Sequence, residues 1–425
     1  MASSATDWQK DIYLNGFAGK KLSVSIDLAT LEQRAKAVMT GRAFDYIAGG
    51  AGLEHTVSQN RSAFDNYKII PRMLSNVSER RTSVDILGTK LPTPLLLSPV
   101  GVLELAHRDA DVAVGRAASA TGVPFIFSNQ ASVPMEKVAD AMGQRDPRGN
   151  SPHWFQMYWS KSRDLVASFA RRAEACGCSA IIVTLDTTLL GWRTRDLDLS
   201  YLPFLEGKGI AQYTSDPVFQ KLMDQPDDTP AVKQNITLHS IVGLMKMTSA
   251  YPGGNFIGKL LSGRPRKAVQ KFVSIYSNPA LTWSDLSFLR DNTKLPVLLK
   301  GILHADDASK AIDHGINGII VSNHGGRQVD GAVATLDVLP RIADVVKKRI
   351  PVLLDGGVRG GADMFKALAL GADAVCIGRP YAYALAIAGE LGVYHLIRNF
   401  MADFELTMAL SGCKSVGEIG RANLQ

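Results

Sequence analysis

Eight short apolar runs, each followed by a stretch with helical spacing, leave this chain few architectures. They read PLLLSPVG (94–101), PFIFSN (124–129), HWFQMY (153–158), AIIVTLD (180–186), PVLLKGI (296–302), GIIVSNHGG (318–326), PVLLDGGV (351–358) and AVCIGRP (374–380). Their cores are nearly continuous in apolar residues rather than alternating, the pattern of strands covered on both faces. Between them lie stretches such as KSRDLVASFARRAEACG and GADMFKALALGA, whose apolar spacing suits helices. Eight such alternations predict an α/β fold, a (β/α)8 TIM barrel over residues 94–425. Residues 1–93 read as an N-terminal helical extension packing on it, with ATLEQRAKAV as one helix and GRAFDYIAGGAG as a turn. A segment rich in Pro, Gly, Asn and Asp, about 191–281, interrupts the barrel after its fourth strand. A connection that long is usually functional or disordered, and this one reads as lid-like.

Polar residues gather where these runs end. Ser128, Gln156 with Tyr158, Thr184 with Asp186, Lys300, His324 with Arg327, Asp355 and Arg379 all fall at the C-terminal side of a run. In this barrel the loops after the strands form the active face. Gly378 and Arg379, with DGGVRGG at 355–361, would bring backbone amides and guanidinium groups together as a phosphate site. Lys300 follows four apolar residues, where a buried cation needs a purpose, such as stabilising negative charge on a bound ring. Asp186 could orient a histidine and raise its affinity for a proton, or could simply cap a helix. The stretch VSNHGGRQVDG (321–331) is open to two readings on its own residues. One is a strand-ending turn with a satisfied histidine; the other pairs a titratable base with a planar carboxylate fork.

The formal net charge of +7 is mild for 425 residues and suits a small anionic substrate. No motif supports nucleic-acid binding. Cys176, Cys178, Cys376 and Cys413 have neither the number nor the spacing for a disulfide framework or a metal knuckle, so no metal is expected. The N-terminus lacks an apolar stretch of signal-peptide length and no run of membrane-spanning length occurs, which makes a cytoplasmic protein the expectation.

The segments SNHGGRQ, LKGI, TLDT, FQMYW, DGGVRGGADMFKALALGADAVCIGRP and FDYIAGGAG, in one chain, resemble the FMN-dependent L-2-hydroxy-acid oxidising family. Glycolate oxidases, lactate oxidases, lactate monooxygenases and mandelate dehydrogenases belong to it. The resemblance implies that His324 is the base that takes the substrate hydroxyl proton as two electrons pass to the flavin. It implies that Arg327 and Arg193 grip the substrate carboxylate, that Tyr46 and Tyr158 touch the substrate, and that Asp186 pairs with the base. Lys300 would lie near the flavin N1 and O2. The FMN contacts it implies are Pro99, Val100, Gly101, Ser128, Gln156, Thr184, Lys300 and Ser322. Asp355, Gly357, Arg359, Gly378 and Arg379 would hold the ribityl chain and phosphate.

Within that family, Gly101 and the start of the interruption, GWRTRDLDLSYLPFLEGKGIAQYTSDPVFQK, resemble the lactate 2-monooxygenases. These turn L-lactate and O2 into acetate, carbon dioxide and water. Gln130 departs from the aromatic or aliphatic residue that many relatives carry there. Shortening residues 221–270 is expected to release pyruvate and peroxide instead. The alternatives are an oxidase releasing the 2-oxo acid and H2O2, and a dehydrogenase passing electrons to quinone. The latter would dock on a membrane through ITLHSIVGLMKM and GKLLSGRPRKAVQK. A catalytically silent FMN-binding scaffold would require loss of a catalytic group, and none of those named is missing. The resemblance further implies a small 2-hydroxy-carboxylate and O2 as reactants and a homotetramer or larger homo-oligomer.

Overall fold

A computed structural model describes residues 4–145, 151–225 and 237–425. The Pro- and Asp-rich stretch that begins at Pro226, and the Ile236 that opens ITLHSIVGLMKM, lie outside the described residues. Among the described residues ten strands form in two sheets. A hairpin pairs β1 (Val84–Ile86) with β2 (Thr89–Leu91), antiparallel. The other eight are β3 (Leu95–Leu97), β4 (Phe125–Phe127), β5 (His153–Tyr158), β6 (Ile181–Thr184), β7 (Val297–Ile302), β8 (Gly318–Ser322), β9 (Val352–Asp355) and β10 (Ala374–Ile377). They close into a parallel barrel, with β10 pairing β3 at Val375↔Leu95 through Ile377↔Leu97. Every one of the eight apolar runs contains one of these strands.

Alternation inside the barrel explains why the runs are apolar throughout. Leu96, Ile126, Trp154, Ile182, Leu298, Ile320, Leu353 and Cys376, one per strand, form an inner cluster. Their neighbours, such as Leu95, Leu97, Phe125, Phe127, Ile181 and Val183, turn outward onto the helices. Both sets avoid water, so period-2 polarity has no place here. The hairpin adds Ile86 and Leu91 to the inner cluster. The N-terminal region is therefore not helical throughout: an apolar layer at the start of the strands is covered by two short strands, beside helices Ala5–Phe17, Leu28–Val38, Gly41–Ala48 and His55–Ser62.

The chain between β6 and β7 carries its own helices, among them Thr194–Asp198, Pro217–Met223, Leu238–Ala250, Phe256–Ser262 and Arg264–Ile275. Tyr213, Phe219 and Phe272 are fully buried. The Tyr213 ring meets Phe272 edge-on at 4.8 Å and Phe169 of the barrel helix Arg163–Ala175 at 5.1 Å. Burying one such ring contributes about 2–3 kcal/mol. Asp216 caps the helix Pro217–Met223 by accepting from the Val218 and Phe219 amides, and it also pairs with Arg172 at 3.1 Å. This packing fixes the interruption over the C-terminal mouth of the barrel, where the site lies.

Candidate active site

A cavity of about 320 Å³ opens at that mouth. His324 enters it from the turn after β8. Its backbone is left-handed (φ 57°), as are Gly325 (63°) and Gly326 (76°). For histidine that conformation is strained and needs support from its surroundings. The glycines are required by close approach as well: a Cβ on Gly326 would sit 2.8 Å from Val57, and one on Gly325 would sit 3.0 Å from the Arg379 guanidinium. The His324 amide donates to Ser322 Oγ at 3.0 Å, which holds the turn. The imidazole Nδ1 lies 2.7 Å from Asp186 Oδ1 and 3.2 Å from Thr187 Oγ1, while Thr187 also donates to Asp186 at 3.0 Å. A carboxylate at Nδ1 keeps the proton on that nitrogen, which leaves Nε2 as the basic atom. Burial holds the imidazole pKa below its ordinary 6.5 and outweighs the opposing pull of Asp186. Asp186 therefore does not raise the proton affinity of His324 above normal, as its pairing alone suggests; desolvation of the imidazolium wins.

Arg327 stands beside this base. Its Nη1 donates to the Gly49 carbonyl at 2.6 Å and its guanidinium lies 5.2 Å from the centre of the Tyr46 ring. Among the described residues it pairs with no carboxylate. Burial first, and then neighbouring Arg193, push its pKa down to about 9. It is still a cation at neutral pH, but one whose charge lacks an answer. Arg193, 6% exposed, reaches the Gln328 side chain at 3.3 Å and has Asp196 only at 4.0 Å. Two close guanidinium groups short of anions suit a carboxylate bound from both sides. Tyr158 stacks near His324 with ring centres 6.4 Å apart, and burial raises its phenol pKa, as it does for Tyr46. Both phenols therefore remain hydrogen-bond donors.

Deeper in the cavity lies Lys300, 3% exposed, at 3.1 Å from Asp355 Oδ2 and 2.9 Å from Ser322 Oγ. Ser98 completes the group by donating to Asp355 Oδ1 at 2.7 Å. A register break in β7 between Lys300 and Ile302 falls at Gly301 (φ 107°), whose Cβ would meet Asp186 at 3.0 Å. Arg359 and Arg379 face the same cavity, and burial lowers the pKa of each. Among the described residues Arg379 donates only to the carbonyls of Ile47, Gly49 and Gly325, and Arg359 to its own neighbour Val358. Gly357 (φ 81°) passes so close to the Asn60 carbonyl that a Cβ would overlap it at 2.0 Å.

These features fit a phosphorylated flavin. Two guanidinium groups that pair with no carboxylate among the described residues, beside glycines that bring backbone close, could take the phosphate. Among the described residues Gln156 Nε2 and Thr184 Oγ1 are buried without a hydrogen-bond partner, and a polar ring bound beside them could supply one. The buried Lys300 cation could face a ring that gains negative charge.

Of the residues singled out from the sequence, Tyr46, Pro99, Val100, Gly101, Tyr158, Arg193, Lys300, His324, Arg327, Asp355, Gly357, Arg359, Gly378 and Arg379 line the cavity. Asp186, Ser128, Gln156, Thr184 and Ser322 adjoin it: Asp186 meets His324, Ser322 meets Lys300, Ser128 faces Gln156 at 3.5 Å, and Thr184 pairs with Lys300 across β6 and β7. Sequence reasoning missed Ser98 and Thr187, although each directly follows or adjoins a residue at a strand end. It also missed Leu202, Phe204, Phe272, Val273 and Tyr276, which wall the cavity from the interruption. No local signal marks those, because irregular chain carries no period that says which way a side chain turns.

A closed parallel barrel with a histidine–aspartate pair, buried guanidiniums and close-packed glycines at its C-terminal mouth suits a barrel flavoenzyme. Residues 35–425 match the FMN-dependent dehydrogenase family. The chain belongs to that family, and FMN is its cofactor. It is 39% identical to an L-lactate oxidase of Lysinibacillus sphaericus over 92% of this chain and 90% of that protein. It is 36% identical to human 2-hydroxyacid oxidase 1 over 92% and 94%. A crystal structure of mandelate oxidase with benzoyl-formic acid superposes with a TM-score of 0.74, at 34% identity over 95% and 98%. The chain is thus an FMN-dependent 2-hydroxy-acid oxidoreductase.

Proposed function

We propose that this enzyme oxidises a small L-2-hydroxy acid with O2 and decarboxylates the 2-oxo acid before releasing it, the reaction type of a lactate 2-monooxygenase. The observation that carries the oxidation is the pairing of His324 and Asp186 at 2.7 Å beside two guanidiniums short of anions. Arg327 and Arg193 take the substrate carboxylate and fix the acid's orientation. His324 Nε2 then accepts the hydroxyl proton, and Asp186 at Nδ1 stabilises the imidazolium that forms. Tyr158 and Tyr46 donate to the substrate oxygens, and Lys300 balances charge deep in the site. FMN, when bound, supplies the acceptor for the two electrons that leave the substrate carbon. Positioning of this kind accounts for a large part of the acceleration, because the reacting carbon must meet its acceptor in a narrow geometry.

Support for decarboxylation before release comes from the wall that the interruption builds. Leu202, Phe204, Phe272, Val273 and Tyr276 line the cavity from the interruption, so their packing can slow the departure of a product. Gly101 stands on the opposite side: its backbone is not left-handed, so no turn demands glycine, but a Cβ there would press on the Gln130 Cβ and carbonyl oxygen, each at 3.1 Å. The balance is hydroxy acid plus O2 to an acid one carbon shorter, carbon dioxide and water. Incubation with L-lactate in air, with excess catalase, tests it: acetate is the expected product. Pyruvate as the dominant product would make the enzyme an oxidase.

A second reading has one observation behind it. Helices Leu238–Ala250 and Phe256–Ser262 expose Leu238, Ile241, Met245, Ile257 and Leu261. Lys246, Lys259, Arg264, Arg266 and Lys267 lie on the same helices or on the next. An apolar surface near basic residues suits an anionic membrane, and electrons would then pass to quinone. No helix among the described residues is long and apolar enough to cross a membrane. Co-sedimentation with anionic vesicles, together with slow reoxidation by O2, would favour this reading over the first.

A further inference from the structure

We infer that Gln130 reads a neutral hydrogen-bonding group on the substrate side chain, so that the preferred 2-hydroxy acid carries a hydroxyl or amide there instead of bare alkyl. The inference rests on the 2-hydroxy-acid reading of the site and sharpens it. Gln130 sits in the loop after β4 and lines the same cavity as His324 and Arg327. Its backbone is tied down at both ends: the amide donates to Ser128 Oγ at 3.1 Å, and the carbonyl accepts from the Val102 amide at 2.9 Å. The residue is only 8% exposed. Yet among the described residues no hydrogen bond engages its side-chain amide. Such a group has two N–H donors and an oxygen with two lone pairs, and here it opens to the cavity, where a bound molecule that displaces water must answer it or lose those hydrogen bonds.

Packing gives no other reason for an amide at this place. Across from it stands Gly101, where a Cβ would lie 3.1 Å from both the Gln130 Cβ and its carbonyl oxygen. The chain makes room for Gln130, and an apolar residue of that size would fit the same space without the penalty. Once the carboxylate is held by Arg193 and Arg327 and the hydroxyl by His324 and Tyr158, the substrate side chain is left facing the remaining wall. That wall is Gln130 with Leu202, Phe204, Phe272 and Tyr276, largely apolar around one unanswered amide. A pocket built this way rejects an isostere lacking the hydrogen bond far more strongly than it rejects a change of one methylene.

The test uses the holoenzyme and anaerobic flavin reduction, read as bleaching of the bound flavin, with two isosteric pairs of acids. The short pair is L-glycerate and L-2-hydroxybutyrate; the long pair is (S)-4-hydroxymandelate and (S)-4-methylmandelate. In at least one pair the hydroxyl-bearing acid should reduce the flavin with at least about tenfold higher efficiency. Gln130→Met, similar in size and apolar, should bring that ratio to about unity or invert it while FMN content stays at wild-type level. Preference for the alkyl member of both pairs in the wild type would overturn the inference, and so would a ratio that Gln130→Met leaves unchanged. Loss of FMN from Gln130→Met with the ratio unchanged would assign the amide to the cofactor instead. If neither these acids nor L-lactate bleach the flavin, the 2-hydroxy-acid reading itself fails and takes this inference with it.

Discussion

At the scale of single residues, His324, the proposed base, is set by a contest between burial and pairing. Burial lowers the His324 pKa and Asp186 raises it, with burial the larger influence. A base works when deprotonated, so activity is present above its pKa and lost as the pH falls through it. The expected kcat/KM is therefore level from pH 8 down to about 6.5, and its acid limb lies below that value. Asp186→Asn removes the influence that raises the pKa, so the limb should move to still lower pH. The rate should fall as well, because the amide no longer fixes the Nδ1 proton. His324→Asn should cost about 10²- to 10⁴-fold in kcat/KM with FMN still bound. A limb at or above pH 6.5 in the unmodified enzyme would show that the imidazole is not the group that titrates. The sequence names His324, Arg327 and Arg193 through motif and order. Which nitrogen of His324 is basic, and which way its pKa moves, depends on neighbours 137 and 138 positions away, Thr187 and Asp186.

At the scale of elements, the eight barrel strands were legible, and the N-terminal hairpin and the inside of the interruption were not. A strand in a closed parallel barrel must be apolar on both faces over a few residues, and only such runs occur at the eight places where strands formed. Helices Leu238–Ala250 and Phe256–Ser262 show weaker sequence evidence, because much of their apolar surface stays exposed and the usual one-sided pattern is blurred. Helix Arg264–Ile275 does bury one face, through Ala268, Val269 and Phe272, and delivers Phe272 and Val273 to the cavity wall. Shortening the chain between Lys221 and Gln270 removes the two helices that back this one and, toward Gln270, its own first turns. The expected outcome is release of the 2-oxo acid and peroxide in place of the decarboxylated product, measured with L-lactate in the presence of catalase. Quantitative acetate from the shortened enzyme would sink the idea that the wall retains the product.

For the whole molecule, one buried carboxyl makes a prediction about stability. Asp111, 1% exposed, accepts from the Ser132 and Val133 amides at 2.9 and 3.1 Å and so ties the loop after β4 to helix Ala110–Thr121. Burial pushes its pKa up to about 7 from an ordinary 3.8. The folded state thus holds this proton more tightly than the unfolded chain. Folding is favoured below pH 3.8, and the advantage drains away as the pH rises through about 7, by at most about 4 kcal/mol. Asp111→Asn keeps the acceptor and removes the titration, so its Tm should gain on the wild type as the pH is raised from 5 to 8. A difference in Tm that does not change with pH would show that Asp111 stays ionised. By itself the sequence determined the barrel, the order of its strands, the family and the residues at the strand ends, because burial on two faces and ligand chemistry at strand ends both leave local marks. Only the tertiary structure decided that Leu202, Phe204, Phe272 and Tyr276 wall the cavity, that a hairpin joins the apolar cluster inside the barrel, and that Gln130 presents an unanswered amide. Each of these depends on which distant segments meet, and distance along a chain leaves no mark on the residues themselves.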